Sequence, residues 1–452
     1  MLAVVTPAEM RRLDAAASEP EHVLIERAGA AVARAAVRML GGSYGKRVVV
    51  LAGKGNNGAD GRVAARRLAE RGVHVVVLDA ANLPARVPSC DLVIDAAYGT
   101  GFRGVWQAPE VGDAAVLAVD IPSGVDGLTG HCESGVLQAD HTVTFAALKP
   151  GLLFPPGSQC TGTLELVDVG IDTSSSRVNL VQQSDVASWV RPREADAHKW
   201  RAALWVIAGS GGMFGAARLA AAAAQRTGAG MVYLSTPGSG VDPMAPTEVV
   251  NHPLPSPSWA SDIVAASERF HAFVVGPGMG RVDTTALQIR EFLAATARPA
   301  VVDGDGLFAL AWSDEGAAPL LRGRAGDTVL TPHDGEFALL TGHRPGADRV
   351  ESARSLAAAT GAVVLLKGAA TVIADASGRA YIVTAGDERL ATAGTGDVLA
   401  GIIGALLSSG VPALEAAAAG AWIHGQAGRR GPARGLVAGD LPALIPSVLE
   451  SL

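Results

Sequence analysis

The sequence predicts an α/β protein made of two successive, mainly parallel-sheet domains, and three observations carry that prediction. Short β-branched runs alternate with Ala- and Leu-rich stretches of helical length along the chain. Most of these runs end in Gly, Asp, Ser, His or Lys rather than in a hairpin turn, with little hairpin signature before Thr371 to Thr384. A polar stretch without periodicity, Ile171-Asp-Thr-Ser-Ser-Ser-Arg177, interrupts the alternation. The boundary is expected there, giving domains of 1–178 and 179–452.

A chain of 452 residues exceeds one ordinary core. With 49% hydrophobic and 18% charged residues it is globular through most of its length. A net charge of −7 without a long Lys/Arg cluster gives no reason to expect nucleic acid, and no apolar run is long enough for a membrane span. Cys90, Cys132 and Cys160 are widely spaced, which suits neither a disulfide framework nor a zinc site. The N-terminus lacks the order of a signal peptide, so a cytoplasmic enzyme of small molecules is expected. Association of like subunits is compatible with the sequence.

Residues 7–40 read as helices. Arg47 to Ala52 reads as a buried strand that runs into Gly53-Lys-Gly-Asn56-Asn57-Gly58-Ala59-Asp60-Gly61. A helix from Arg62 to Arg71 and a strand from His74 to Asp79 complete a Rossmann-like βαβ unit. This is formally a GxGxxG with an aspartate about twenty residues on, so an NAD oxidoreductase is one reading. Against it, Asn56, Asn57 and Asp60 place amides and a carboxylate where a dinucleotide fingerprint needs small spacers. Two further strands end in Asp95 and in Asp120-Ile-Pro-Ser123, and ligands of an open parallel sheet bind beyond such ends. Each of these residues alone is as readily a helix cap.

These motifs, with Gly99 to Gly104, resemble the NAD(P)H-hydrate epimerase domain, which is expected to be a Rossmann-like three-layer domain. The resemblance implies that Asn57, Asp95 and Ser123 hold a potassium ion, as an amide, a carboxylate and a hydroxyl suit a hard cation. It also implies that Asn56, Asn57, Gly58, Ala59, Asp60, Gly99, Thr100, Gly101, Phe102, Arg103, Gly104, Val105 and Asp120 line the hydrated nicotinamide nucleotide. Asp120 and Lys149 are the candidate proton-handling pair, although a strand-end Lys is more often a solvated charge. Ala59 stands where the family usually has Gly, and Trp106 near a usually smaller side chain.

In the second half, strands are expected at Ala203 to Ala208, Gly230 to Ser235, His271 to Val275 and Pro299 to Asp303, with further strand ends at His333, Lys367 and Thr384. The last leads to Gly394-Thr395-Gly396-Asp397 and an apolar helix. Such a start presents main-chain N–H groups to an anion, with Asp397 beside it as a base or merely as a cap. Five ordered motifs resemble the ribokinase-like fold and, more closely, the ADP-dependent NAD(P)H-hydrate dehydratase: Gly-Ser-Gly-Gly-Met-Phe-Gly-Ala, Gly-Pro-Gly-Met-Gly, Thr-Pro-His-Asp-Gly-Glu-Phe, Lys-Gly-Ala-Ala-Thr and Gly-Thr-Gly-Asp.

The resemblance implies that Ala216, Gly278, His333 and Asp397 touch the hydrate, and that Lys367, Gly368, Ala369, Ala370, Thr371 and Gly396 hold the adenylate part of ADP. Mg²⁺ would accompany the nucleotide, with Glu336 a secondary candidate near it. Trp200 and the glycines of Asp303-Gly-Asp305-Gly depart from the family's usual residues. Together the halves imply repair of hydrated NADH and NADPH: exchange of R and S hydrates by the first, and ADP-dependent dehydration of the S hydrate, giving AMP and phosphate, by the second. A ribokinase-like kinase of a vitamin-type alcohol, with a non-catalytic nucleotide-binding N-terminal module, is the alternative.

Overall fold

A computed structural model describes residues 1–102, 104–133, 135–313 and 315–452. The chain divides into one compact unit of Leu2–Val178 and another of Asn179–Leu452 together with Met1.

The first unit begins with β1 (Leu2–Val4), α1 (Pro7–Ala15) and α2 (Glu21–Leu40). The helical stretch expected over 7–40 is therefore two helices. Pro20, held extended at φ −59° and ψ 144°, separates them. Then come β2 (Arg47–Ala52), α3 (Asn56–Ala69), β3 (His74–Asp79), β4 (Leu92–Ala96), β5 (Ala115–Val119), β6 (His141–Phe145) and β7 (Thr163–Val167). The last six strands form a parallel sheet in the order β3-β2-β4-β5-β6-β7. Strand alternation sends Val48, Val50 and Ile94 to the face covered by α2 and α3. It sends Val49, Leu51 and Val93 to a face packed by Val87, Tyr98, Phe102 and Trp106 from loops.

Helix α3 starts six residues before the expected Arg62 because the β2–α3 turn is closed by glycine. A Cβ on Gly58 would fall 1.9 Å from the Gly53 carbonyl oxygen, and one on Gly53 1.9 Å from that of Ala97. Ala59 lies inside this helix.

At the boundary stands β8 (Val178–Leu180), and the second unit continues with α4 (Gln183–Trp189), β9 (Ala203–Ile207), α5 (Phe214–Thr227), β10 (Met231–Ser235), β11 (Val250–Asn251), α6 (Ala260–Ala266) and β12 (Ala272–Val275). Next are α7 (Asp283–Ala295), β13 (Ala300–Val302), α8 (Asp305–Ala311), α9 (Ala318–Arg322), β14 (Thr328–Leu330), α10 (Asp334–Thr341), α11 (Arg349–Thr360) and β15 (Val363–Leu366). β16 (Thr371–Ala374), β17 (Ala380–Val383), α12 (Thr395–Ser408), α13 (Ala413–Arg430) and α14 (Leu441–Glu450) complete the chain.

The sheet runs β17-β16-β15-β14-β13-β12-β9-β10-β11. It is parallel from β11 to β15 and antiparallel through β16 and β17, where the hairpin signature lay. The order reverses between β9 and β12, and that reversal opens a crevice beyond their carboxyl ends. Helices α5, α12, α13 and α14 share the core on one face. α12 lies so close that a Cβ on Gly401 would fall 2.1 Å from the Ala220 carbonyl oxygen, and one on Gly404 2.4 Å from Val274. On the other face Trp205 and Phe273 stack, and Phe273 meets Phe292 of α7 edge-on. No helix among the described residues is long and apolar enough to cross a membrane.

Candidate active sites

A cavity of about 1150 Å³ opens in the first unit at the carboxyl ends of its strands. Asn56, Asn57, Asp60, Gly99, Thr100, Gly101, Phe102, Asp120 and Lys149 all line it. Gly58 and Ala59 lie behind in α3, and Val105 is exposed. Gly104 is not among the lining residues, and Arg103 lies outside the described residues.

Asp120 follows β5 directly at φ +66°, a left-handed conformation that an aspartate adopts at a cost. Its N–H bonds to Val143, while its Oδ1 accepts from Lys149 Nζ at 2.5 Å and Thr144 Oγ1 at 3.0 Å. Lys149 is 1% exposed, so it is not the solvated charge its position alone suggested. Its ammonium also donates to Thr144 Oγ1 and the Phe145 carbonyl. A Cβ on Gly99 would lie 3.7 Å from Asp120 Oδ2 and 3.5 Å from Asn57 Cβ, which places both side chains beside that loop. Burial, reinforced by the Asp120 charge, pushes the Asp60 carboxyl up to about 8.

Asn57 Oδ1 and Nδ2 are both buried without a hydrogen-bond partner. Buried polar atoms left so are costly, and such a pair points to a ligand. Asp95 and Ser123 are 0% exposed and bonded to each other, Ser123 Oγ to Asp95 Oδ1 at 2.6 Å and Ser123 N to Asp95 Oδ2 at 2.9 Å. Burial raises the Asp95 carboxyl above its ordinary value, a cost that a nearby cation would offset. These oxygen donors fit a hard monovalent cation. Trp106 packs edge-on against Tyr98 and over Gly124, away from the cavity lining.

In the second unit, Gly394 at φ +91° caps α12, and no side chain bonds to the helix start. Asp397 is therefore a first-turn residue rather than the cap, and the first N–H groups of the helix, uncapped by any side chain, are of the kind that binds an anion. Gly396 is already helical. It lies close to two charged side chains: a Cβ there would lie 3.3 Å from Lys367 Nζ and 3.8 Å from Asp303 Oδ2. The Asp397 carboxyl is pushed up to about 7 by burial and then by Asp303, against the opposing pull of Lys367.

Ala216 and Gly278 are brought together, since a Cβ on Gly278 would fall 2.9 Å from that of Ala216. His333 caps α10: its Nδ1 accepts from the N–H groups of Gly335 and Glu336, and Glu336 Oε2 accepts from its own N–H. Lys367 to Thr371 form the β15–β16 hairpin turn, tied by Arg349 to the Lys367 carbonyl. Trp200 lies under Arg269, whose guanidinium is 3.5 Å from its ring centre.

Residues the sequence reading did not place in a site also gather here. Asp303 pairs with Lys367, Asp305 ties the Gly280 and Arg281 backbone and side chain, and His424 is a buried imidazole with an unpartnered Nε2. Burial and then the Lys367 charge hold His424 down at about 4. A strand-end Asp-Gly-Asp was the only signal for the first two, and His424, within an apolar helix, had none.

The reversed strand order and glycine-capped helix of the second unit define a ribokinase-like α/β fold. An Enterococcus faecalis protein described as ribokinase-like shares that fold at 20% identity and a TM-score of 0.52 over 61% of this chain and 96% of its own. The family described as NAD(P)H-hydrate dehydratase matches residues 204–450, and that described as YjeF-related protein N-terminus matches 21–88 and 79–151. The bifunctional NAD(P)H-hydrate repair enzyme Nnr of Moorella thermoacetica is 36% identical over 518 aligned positions, covering 99% of this chain and 97% of its own. An ADP/ATP-dependent NAD(P)H-hydrate dehydratase from Bacillus subtilis, co-crystallised with ATP and Mg²⁺, is 28% identical, with a TM-score of 0.52 over 61% of this chain and 98% of that one. The chain belongs to the bifunctional NAD(P)H-hydrate repair enzyme family.

Proposed function

We propose that residues 1–178 exchange the epimers of hydrated NADH and NADPH, and that residues 179–452 dehydrate the S hydrate at the expense of ADP, releasing AMP and phosphate. The observation that carries this reading is Asp397: a carboxyl without a hydrogen-bonded partner, poised near neutrality at a helix start whose N–H groups are free. A base of that pKa beside an anion cradle suits removal of a hydroxyl proton as the hydroxyl attacks a phosphoryl group.

Hydration leaves a hydroxyl on a saturated ring carbon, and hydroxide leaves poorly. Asp397 takes the hydroxyl proton, the oxygen bonds to the terminal phosphorus of ADP, and AMP departs with the bridging electron pair. Phosphate then leaves with the carbon–oxygen pair while the adjacent ring carbon gives up its proton to water, and the carbon–hydrogen pair restores the double bond. The Gly394–Gly396 amides offset charge on the transferring group. Mg²⁺, when bound with the nucleotide, neutralises phosphate charge. Glu336 would be the carboxylate to approach that ion, although among the described residues no three His, Cys, Asp or Glu side chains form a ready-made metal cage.

In the first unit Asp120, held by Lys149, moves the proton that inversion requires, while Asn57, Asp95 and Ser123 hold potassium. A cytoplasmic setting follows from the substrates, which are reduced cofactors and ADP. The test supplies mixed epimers of hydrated NADPH with ADP and follows both. Asp397→Ala should abolish recovery of reduced-nicotinamide absorbance while epimer exchange continues. Retained recovery would sink the assignment, and a stable phosphorylated product would identify a kinase instead.

A further inference from the structure

Lys367, Thr331 and Asp303 stand at the ends of the adjacent strands β15, β14 and β13. Asp303 Oδ1 accepts from both neighbours, Lys367 Nζ at 2.6 Å and Thr331 Oγ1 at 2.6 Å, and Glu336 Oε2 lies 4.0 Å from the same ammonium. Asp303 is 3% exposed and Thr331 0%. The Lys367 main chain is fixed separately, its N–H on Pro332 and its carbonyl on Arg349. The side chain thus crosses two strand ends to lie beneath Gly396, where an added Cβ would fall 3.3 Å from Nζ. That is one residue from Asp397 and at the N–H groups of the helix start.

We propose that Lys367 acts on the transferring phosphoryl group rather than on the adenylate, and that Asp303 is the positioning residue that holds it there. This rests on the reading of Asp397 given above. As the hydrate oxygen bonds to phosphorus and the bond to the bridging oxygen breaks toward AMP, Lys367 keeps its proton and offsets charge on the non-bridging oxygens. A lysine on its flexible four-carbon stem is a poor preorganised cation unless clamped, and Asp303, itself fixed by Thr331, supplies the clamp.

The full chain and its Lys367→Met, Asp303→Asn and Thr331→Val variants are compared for kcat and KM with ADP and hydrated NADPH. Calorimetry then measures affinity for AMP, which lacks the transferring group, without added metal. The first two variants should lose roughly 100-fold in kcat and Thr331→Val about 5-fold, with AMP affinity changed less than about 2-fold in all three. A fall in AMP affinity matching the loss in kcat/KM, with kcat at saturating ADP unchanged, overturns the role of Lys367. Normal kcat in Asp303→Asn and Thr331→Val beside an impaired Lys367→Met overturns that of Asp303. If Asp303→Asn fails to fold because it strands Lys367, Thr331→Val decides, since it loosens Asp303 without removing a charge. An Asp397→Asn control that still recovers reduced nicotinamide would locate the failure in the reading of the site instead.

Discussion

Lys149 Nζ lies 2.5 Å from Asp120 Oδ1, inside a unit where Asp120 itself is held at φ +66°. The lysine is almost wholly enclosed, and Asp120 is the carboxylate it bonds to, while Asp60 and Asp14 feel its charge without a hydrogen bond to it. Asp120→Asn should stop epimer exchange and also destabilise the first unit by about 3 kcal/mol, because it leaves a buried ammonium unpaired. Adding Lys149→Met should return much of the stability without the activity. Urea midpoints and an epimer-resolved assay measure both, and a double variant no more stable than Asp120→Asn would contradict the pairing.

The Asp397 carboxyl, pushed up to about 7, gives a signed pH dependence. As the base of the free enzyme it must be ionised, so kcat/KM for dehydration should rise about tenfold per pH unit below 7 and level off above. For stability the sign is opposite. The folded state binds this proton more tightly than the unfolded chain does, so the second unit loses stability as pH rises from about 4 through 7. Asp397→Asn should remove the rising limb and make the protein more stable than the parent at pH 8. A parent profile flat from pH 5 to 8 would exclude Asp397 as the titrating base.

Asn57, whose buried amide has no partner, should report potassium directly. Replacing KCl by choline chloride is expected to lower the melting temperature of the first unit by about 2 °C through lost ligand binding. Asn57→Leu should abolish that difference. A potassium shift that survives the substitution would place the ion elsewhere.

Ala59 departs from the usual glycine, and it sits within α3 at helical backbone angles. Ala59→Gly should therefore cost about 1 kcal/mol in helix propensity and leave epimer exchange unchanged. Increased exchange in the variant would show that the methyl group hinders substrate.

Sequence alone determined what is local. Strand runs, their glycine turns and the start of α12 after Gly394 follow from side-chain pattern and backbone freedom within a few residues, and they were legible together with the motifs placed on them. Three local details were not. The break at Pro20 within the helices read over 7–40 was not placed, α3 began six residues early, and the choice between base and cap at Asp397 was left open. In each case backbone conformation or close packing decided what the side-chain pattern did not.

Only the tertiary structure decided which distant groups meet. Asp303 and Lys367 are 64 residues apart and pair because the sheet sets β13, β14 and β15 side by side. Lys149 became the partner of Asp120 because the strand end folds it inward, and the Asn57 amide became an unsatisfied group only on burial. The physical reason is common to all three. Spacing along the chain fixes where a charge is carried, but its partner, its desolvation and hence its chemistry depend on strand order and packing, which arise between segments rather than within them.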